Sequence, residues 1–559
     1  MSATQLRPVA ESGRTNVLSE LEQARVLLFD RRFHQVAAAL AYKKDDDLVE
    51  GHRNRDYPKS IVLLFGVLSR VCRSQPRAEA FFRPPDMWQL IRRYWEQAYA
   101  LGIIPSEEPS QLPNKPIKVG QWRYALKMLE TEPGAFAAVE AAFVNASVDL
   151  ALSLGYFSTG SFTNPAKSSC LFADGTEIRS QYRSHIEKRW DEKTGKKRRA
   201  AIDPQAKDRV RAWLVSDDAG RWRAIDPDTG EVKRKLPVDP EALASAKYGP
   251  TQSAYNVVPL SVRGDTPHSR VTIWIGIDES ENTEAATIMR GIDRIDEVLP
   301  GKVQCLITDM IIRGTHQNTL FTKYGIIPIT KVAASGSGEV VTDTSTDGSD
   351  NSVTVTTSRK GKKVKSLPLV RQKHTVMGNK VCSHQLMLVD GAVVEVDYDE
   401  TGRDFVEISR PKKVQVKRSA RKTEERPYSF SDGYCITCPH GDFTVWLCPH
   451  QRIGADDGRK MAENFRVFPE GSPQFIELYG AGRNTSEGGN AHHKNSYPHK
   501  RSQSSGRIAM NLDVILYFIA DNSRTWYFQT GFKIVDAVLQ GDPIPAITPA
   551  AAALTSTAA

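Results

Sequence analysis

From residue 165 onward, short apolar runs and helical patterns follow one another in a fixed order, and that order narrows the available folds more than any other feature. Leu171-Phe172-Ala173 reads as a first strand, residues 253–260 as a second and residues 270–277 as a third. Residues 283–299 read as a helix, because Ala286, Met289, Ile292, Ile295 and Val298 recur at helical spacing. A fourth strand at 303–307, a short helix at 315–324 and a fifth strand at 326–332 complete the series.

Two of these runs end in an acid. Asp174 follows the first strand and Asp309 closes the fourth. A third acid, Glu487, lies in Arg483-Asn484-Thr485-Ser486-Glu487-Gly488-Gly489, with Lys494 seven residues further on. Helical spacing allows Arg483, Glu487 and Lys494 to share a face. Carboxylates at strand ends and on a facing helix suit hard divalent cations, which take oxygen ligands. Two such ions can activate the attacking oxygen of a phosphodiester displacement and stabilise the leaving one. Each acid also has a plain reading as a turn or solvated helix residue. Glu477 is the nearest rival for the third position, in a more apolar setting. Gly488-Gly489 argues against a strong local helix. His492, His493, His499 and Lys500 are expected to face DNA or solvent.

On these residues the chain resembles the DDE transposases of bacterial insertion sequences. The closest subgroup carries Tyr-x2-Arg-x3-Glu-x6-Lys around the third acid. Arg483, Glu487 and Lys494 keep its spacing, whereas Tyr479 stands four residues before Arg483 instead of three. The resemblance implies an α/β ribonuclease-H-like catalytic core, with a helical N-terminal domain and a strand-rich insertion between the second Asp and the Glu. It implies Asp174, Asp309 and Glu487 as catalytic ligands of two Mg²⁺ ions, with Mn²⁺ as a substitute. Arg483, Lys494 and Tyr479 are the implied contacts to DNA phosphate. The implied partner is double-stranded DNA, both element ends and target, bound by a homodimer or larger assembly on paired ends. A ribonuclease-H-like nuclease of repair or recombination, and an inactive DNA-binding derivative of a transposase, are the alternatives.

A chain of 559 residues is too long for one core. Residues 1–160 read as a helical domain; the resemblance implies that it binds DNA ends, with an oligomer-contact domain as the alternative. Its patterns lie at 17–41, 61–71, 87–101, 120–129 and 133–154, and Pro105, Pro109, Pro113 and Pro116 mark a loop among them. The catalytic domain begins at 161–332, with a charged insertion at about 185–250. The strand-rich insertion covers 333–475, the last catalytic helices 476–540 and a disordered tail 541–559. Net charge is +9, which favours an anionic partner. No membrane span and no signal-peptide core is expected, which points to an intracellular protein; the resemblance implies a cytoplasmic, nucleoid-associated one. Seven irregularly spaced cysteines do not suggest a disulfide framework.

The insertion offers a second candidate site. Cys435, Cys438, His440, Cys448 and His450 form Cys-x2-Cys-x-His-x7-Cys-x-His. Structural Zn²⁺ takes four S or N ligands. The three cysteines with either His440 or His450 could supply them, or they could be small residues on a hairpin. Basic stretches at 359–365 and 410–422, including Lys413, Lys417, Arg418, Arg421 and Lys422, read equally as DNA-backbone contacts or as a protected edge strand.

Overall fold

Capping side chains decide where several of the N-terminal helices begin. In the computed structural model, α1 (Glu20–Leu28) starts at a capping box, in which the Ser19 hydroxyl accepts from the Glu22 N–H and the Glu22 carboxylate reaches back to the Ser19 N–H. The apolar pattern at 17–41 divides in two because Asp30 caps a second helix, α2 (Arg31–Ala38), by accepting from the Arg32 N–H. α3 (Lys59–Val71), α4 (Gln75–Phe82), α5 (Pro85–Ala100), α6 (Val119–Thr131) and α7 (Ala135–Ser153) follow. Ser74 caps α4, which the apolar periodicity alone did not announce. The proline loop after α5 is pinned by indoles: Trp88 and Trp95 donate to the Pro113 and Pro109 carbonyls, each at 2.9 Å.

The residues described are 18–41, 57–180, 251–278, 284–332, 366–398 except 370 and 377–379, 405–453 except 422 and 424, and 458–531 except 499–500, 503 and 505, with short strand segments within 190–235 and 358–363. Residues 333–357 of the expected strand-rich insertion, the tail at 541–559, and His499 and Lys500 lie outside them, as do the side chains of the charged insertion.

The central sheet contains β1 (Cys170–Ala173), β2 (Thr176–Arg179), β3 (Thr251–Arg263), β4 (Arg270–Asp278), β5 (Cys305–Ile307) and β6 (Ile327–Ile329). Its main path is β4-β3-β1-β5-β6, and β2 pairs with β3. β3 is antiparallel to both of its neighbours on the path, whereas β1, β5 and β6 run parallel. Parallel neighbours need crossovers. Helix α8 (Glu284–Val298) lies between β4 and β5. Helix α9 (Gly314–Thr319), continued by a wider turn over Leu320–Tyr324, joins β5 to β6. In α8 the buried stripe is Ile288, Ile292 and Ile295, and Val298 is exposed.

Strand alternation gives this sheet two buried faces. Leu171, Ala173 and Leu306 pack with the N-terminal helices and with α12 (Arg507–Trp526). Cys170, Phe172, Cys305 and Ile307 pack with the insertion and with α11 (Pro473–Asn495). The N-terminal helices therefore share one core with the sheet and α12. Polar contacts support the join: Gln23 Nε2 donates to Ser523 Oγ at 2.7 Å, and Asn522 Nδ2 donates to Ser147 Oγ at 3.1 Å. Arg70 reaches Asp513 at 3.2 Å and lies 3.8 Å from the Tyr497 ring centroid. α7 is long and apolar enough to cross a membrane by length and composition, but it packs against α2, β4 and α12 as a core helix.

Between β6 and the last helices stand β7 (Ser366–Pro368), β8 (Gln372–Val376), β9 (Lys380–His384), β10 (Leu386–Val389), β11 (Ala392–Tyr398), β12 (Phe405–Ser409), β13 (Lys412–Ala420), β14 (Tyr428–Ile436) and β15 (Phe443–Leu447). They form a four-stranded sheet β7-β10-β11-β12, a three-stranded sheet β13-β14-β15 and the separate hairpin β8-β9. Helix α10 (Arg459–Asn464) leads back towards α11. Basic β13 is partly turned inward. Lys413 pairs with buried Asp432 at 2.8 Å. Lys417 lies over Trp446, and Arg418 lies over Phe162 and Tyr428 while donating to the Gly325 carbonyl. These three side chains hold the insertion to itself and to the core.

Candidate functional site

The parallel pairing of β1 with β5 sets Phe172 opposite Ile307. Two residues further along each chain come Asp174 and Asp309, so both acids leave the sheet at the same end and at matched positions. Helix α11 crosses there. It comes close because Gly482 has no side chain: a Cβ would stand 2.6 Å from Ile307 Cγ2 and 2.8 Å from Phe172 Cδ1. The next turn carries Glu487. Arg483 then spans two of the acids, with Nη1 3.5 Å from Asp309 Oδ2 and Nη2 2.7 Å from Glu487 Oε1. Asn490 Nδ2 donates to the third, at 3.2 Å from Asp174 Oδ2 and 3.3 Å from its backbone oxygen.

The three acids differ in surroundings. Asp309 and Glu487 keep 48% and 57% of their side-chain exposure, so this end of the sheet is open. Asp174 is half-buried, and burial is the main cause that pushes its carboxyl above the usual range. Arg483 pulls it back down, and Asp309 and Glu487 push it further up. Met310 N–H donates to Asp309 Oδ1 at 2.9 Å and steadies that carboxylate. The acids surround a guanidinium instead of closing on one another: their oxygens do not all meet within 4.8 Å. The donors are hard oxygens in a field of like charge, which suits a divalent cation in type.

Other sequence-read residues fall as follows. Tyr479 stacks on Phe475 at 4.7 Å, one turn before Arg483 on the same helix. Lys494 stands in the last turn of α11. Glu477 pairs with Lys167 at 3.3 Å, so it does not join the acids. His493 is buried against Tyr497, Tyr517 and Phe518, and His492 packs edge-on to Tyr517, so the described part of the histidine run is inner packing. Helix α11 runs unbroken through Gly488-Gly489. A Cβ on Gly489 would meet Arg270 Nη1 at 1.7 Å, so the glycine makes room for that guanidinium. Sequence reasoning missed Asn490, one turn beyond Glu487 at helical spacing. It also missed Glu284, whose Oε1 accepts the Gly175 N–H at 2.8 Å directly beside Asp174; no motif marked it.

The cysteine reading changes more. The structure does not bring Cys435, Cys438, His440, Cys448 and His450 to one point. Cys435 lies on β14 between the buried residues Tyr434 and Ile436, so alternation turns it to the opposite side, where its Sγ stands 3.9 Å from Asp442 Oδ2. His440 is exposed, and His450 Nε2 accepts the Phe430 N–H at 3.0 Å. Burial takes the His450 imidazole down to about 4 and pushes the Cys448 thiol up. Cys438 instead meets Cys382 and His384, and the ligand atoms of these three lie within 4.8 Å of one another. Among the described residues, no other Cys, His, Asp and Glu cluster meets that distance. Hydrogen bonding from His374 leads in taking the Cys438 thiol down to about 6, with the His440 backbone, His384 and Cys382 adding to it against burial.

No protein-family model matches the chain, and it has no match among curated proteins.

Proposed function

We propose that this chain is a DNA transposase with a ribonuclease-H-like core, which cuts and joins phosphodiester bonds at the ends of a mobile element. One observation carries the reading: Asp174 and Asp309 stand at matched positions on adjacent parallel strands, with Glu487 facing them from α11. The strand path, an antiparallel pair beside three parallel strands, supports the same reading. So does the net charge of +9, which suits a polyanionic partner.

Asp174, Asp309 and Glu487 would hold the divalent cations, which when bound supply charge neutralisation and lower the pKa of the attacking hydroxyl. The remaining roles belong to the chain itself. Asn490 fixes the Asp174 carboxylate by donating to it. Arg483 keeps Asp309 and Glu487 from repelling one another, and its partly exposed guanidinium would donate to a backbone phosphate. Lys494, on the same helix, extends positive charge along the path of the DNA. Gly482 holds the helix against the strand ends, so that acids from distant parts of the chain keep their spacing.

The test uses the full-length protein with Mg²⁺ and a duplex carrying the DNA that flanks its gene. Strand cleavage and joining to a second duplex are expected, and both are lost in Asp174→Ala, Asp309→Ala and Glu487→Ala but not in Glu477→Ala. Cleavage without joining would make it a nuclease. Full activity of the Glu487→Ala variant would remove the site assignment.

A further inference from the structure

The β8-β9 hairpin places three metal-binding side chains on one face. His374 is the direct cross-strand partner of Cys382, and Gln372 is that of His384. Residues two apart on a strand share a face, so Cys382 and His384 point together, and His374 lies beside them across the pair. Cys438 comes to this face from the turn after β14, where Gly441 donates its N–H to the Cys438 carbonyl at 2.9 Å. The sulfurs of Cys382 and Cys438 are both free thiols.

The two imidazoles are prepared in different ways. His384 is buried, and its Nδ1 lies 2.6 Å from Glu395 Oε1. Ser409 donates to the other oxygen of that carboxylate at 2.8 Å, so Glu395 is itself held. This leaves His384 Nε2 buried and facing the Cys438 thiol, with no nitrogen or oxygen partner among the described residues. A histidine fixed by a carboxylate through one nitrogen and free at the other is the arrangement of a metal ligand with its outer support. The His374 ring stacks on Phe443 at 4.2 Å and 17°, and its buried Nδ1 likewise has no nitrogen or oxygen partner among the described residues, only the Cys438 thiol beside the ring. Two buried ring nitrogens whose facing group is the Cys438 thiol, with no nitrogen or oxygen partner among the described residues, suit an ion that takes their lone pairs.

We propose that His374, Cys382, His384 and Cys438 bind one structural Zn²⁺ ion, with Glu395 orienting His384. Two thiolates and two imidazoles fill a tetrahedron and suit zinc over hard cations. Four protein ligands leave no position open for a substrate, so the role is structural. The site also answers a folding problem. The β8-β9 hairpin pairs with neither insertion sheet, and an isolated two-stranded hairpin is marginal in water. The ion ties it to the end of β14 and, through Glu395, to β11. This inference does not depend on the proposed DNA chemistry.

The test is elemental analysis of full-length protein purified without chelators. About one zinc per chain is expected. Co²⁺ exchanged for it should show the intense visible bands of a tetrahedral thiolate site. Zinc should be lost in Cys382→Ser/Cys438→Ser and kept in Cys435→Ser/Cys448→Ser. If the first variant does not fold, wild-type protein is titrated with a mercurial and modified thiols are mapped by mass spectrometry. Zinc release should then track Cys382 and Cys438. Wild-type protein free of zinc, a Cys382–Cys438 disulfide in its place, or release tracking Cys435 and Cys448 would each overturn the proposal.

Discussion

The acidic end of the central sheet and the thiol–imidazole cluster of the insertion are both built from residues far apart in sequence, yet they are opposite in construction. The acids are hard donors on an open edge, kept apart by a guanidinium. The Cys/His group gathers sulfur and imidazole donors at a hairpin face, where the ligand atoms of Cys382, His384 and Cys438 lie within 4.8 Å of one another and His374 stands beside Cys438. An open set of carboxylates leaves room for a phosphodiester to share a cation. The four ligands of the proposed zinc site would not. Under the two proposals, the contrast separates a place for chemistry from a place that holds the fold.

The strongest way to break this contrast is to remove the acids. Under the proposed function, Asp174→Ala, Asp309→Ala and Glu487→Ala each lower strand cleavage by roughly 10³-fold or more, the scale for losing transition-state charge stabilisation. Zinc content and melting temperature should stay near wild type in Glu487→Ala, since that side chain is mostly exposed. Elemental analysis beside the cleavage assay checks both halves. In Cys382→Ser/Cys438→Ser the pattern should reverse. Thermal unfolding should show a loss of more than about 4 kcal/mol, the range of losing a structural metal, with limited proteolysis concentrated in the insertion.

Smaller changes sharpen the comparison. Gly482→Ala inserts a methyl group 2.6 Å from Ile307 Cγ2, so α11 must move from the strand ends. Overpacking costs about 1–3 kcal/mol, and cleavage should fall while zinc is retained. Glu395→Gln weakens the orientation of His384, and zinc affinity by competition with a chelator should drop about 10–100-fold. The smallest effect is electrostatic. Burial raises the Asp174 carboxyl above its ordinary range, so the native state binds this proton more readily than the unfolded chain. The associated stability is present below the ordinary carboxylate range and lost as pH rises through the raised value. Asp174→Asn should therefore melt slightly above wild type at pH 7, and the difference should close as the pH falls. A constant difference across that range would show that Asp174 is not raised.

Much of the acidic site was legible because its signals are local. A strand that ends in Asp has a period and a stop, and Arg483, Glu487 and Lys494 are read on one helix. Gly488-Gly489 misled, since intrinsic propensity speaks against helix there, while close approach of the Arg270 guanidinium requires Gly489. The cysteine site was not legible for the opposite reason. Cys435 and Cys438 look paired in sequence, but strand alternation and the turn part them. Cys382 and His384 lie far upstream of Cys438 in a segment where only alternate spacing on a strand, opposite His374, carried the signal. The inward turn of Lys413 and Arg418 was equally hidden, because a charge run does not show which members find a buried partner.

Sequence by itself determined the chain order of the five strands on the sheet's main path and of the helices between them, though not β2, since hydrophobic period and capping are properties of neighbouring residues. It also determined which acids end strands and which basic residues share a face with Glu487. Only the tertiary structure decided that Arg483 lies between Asp309 and Glu487, that Asn490 holds Asp174, that the N-terminal helices share a core with α12, and that Cys438 meets the β8-β9 hairpin. Those outcomes depend on packing between distant segments: a missing Cβ at Gly482, the register of His374 with Cys382, and a carboxylate at Glu395 that leaves one ring nitrogen free.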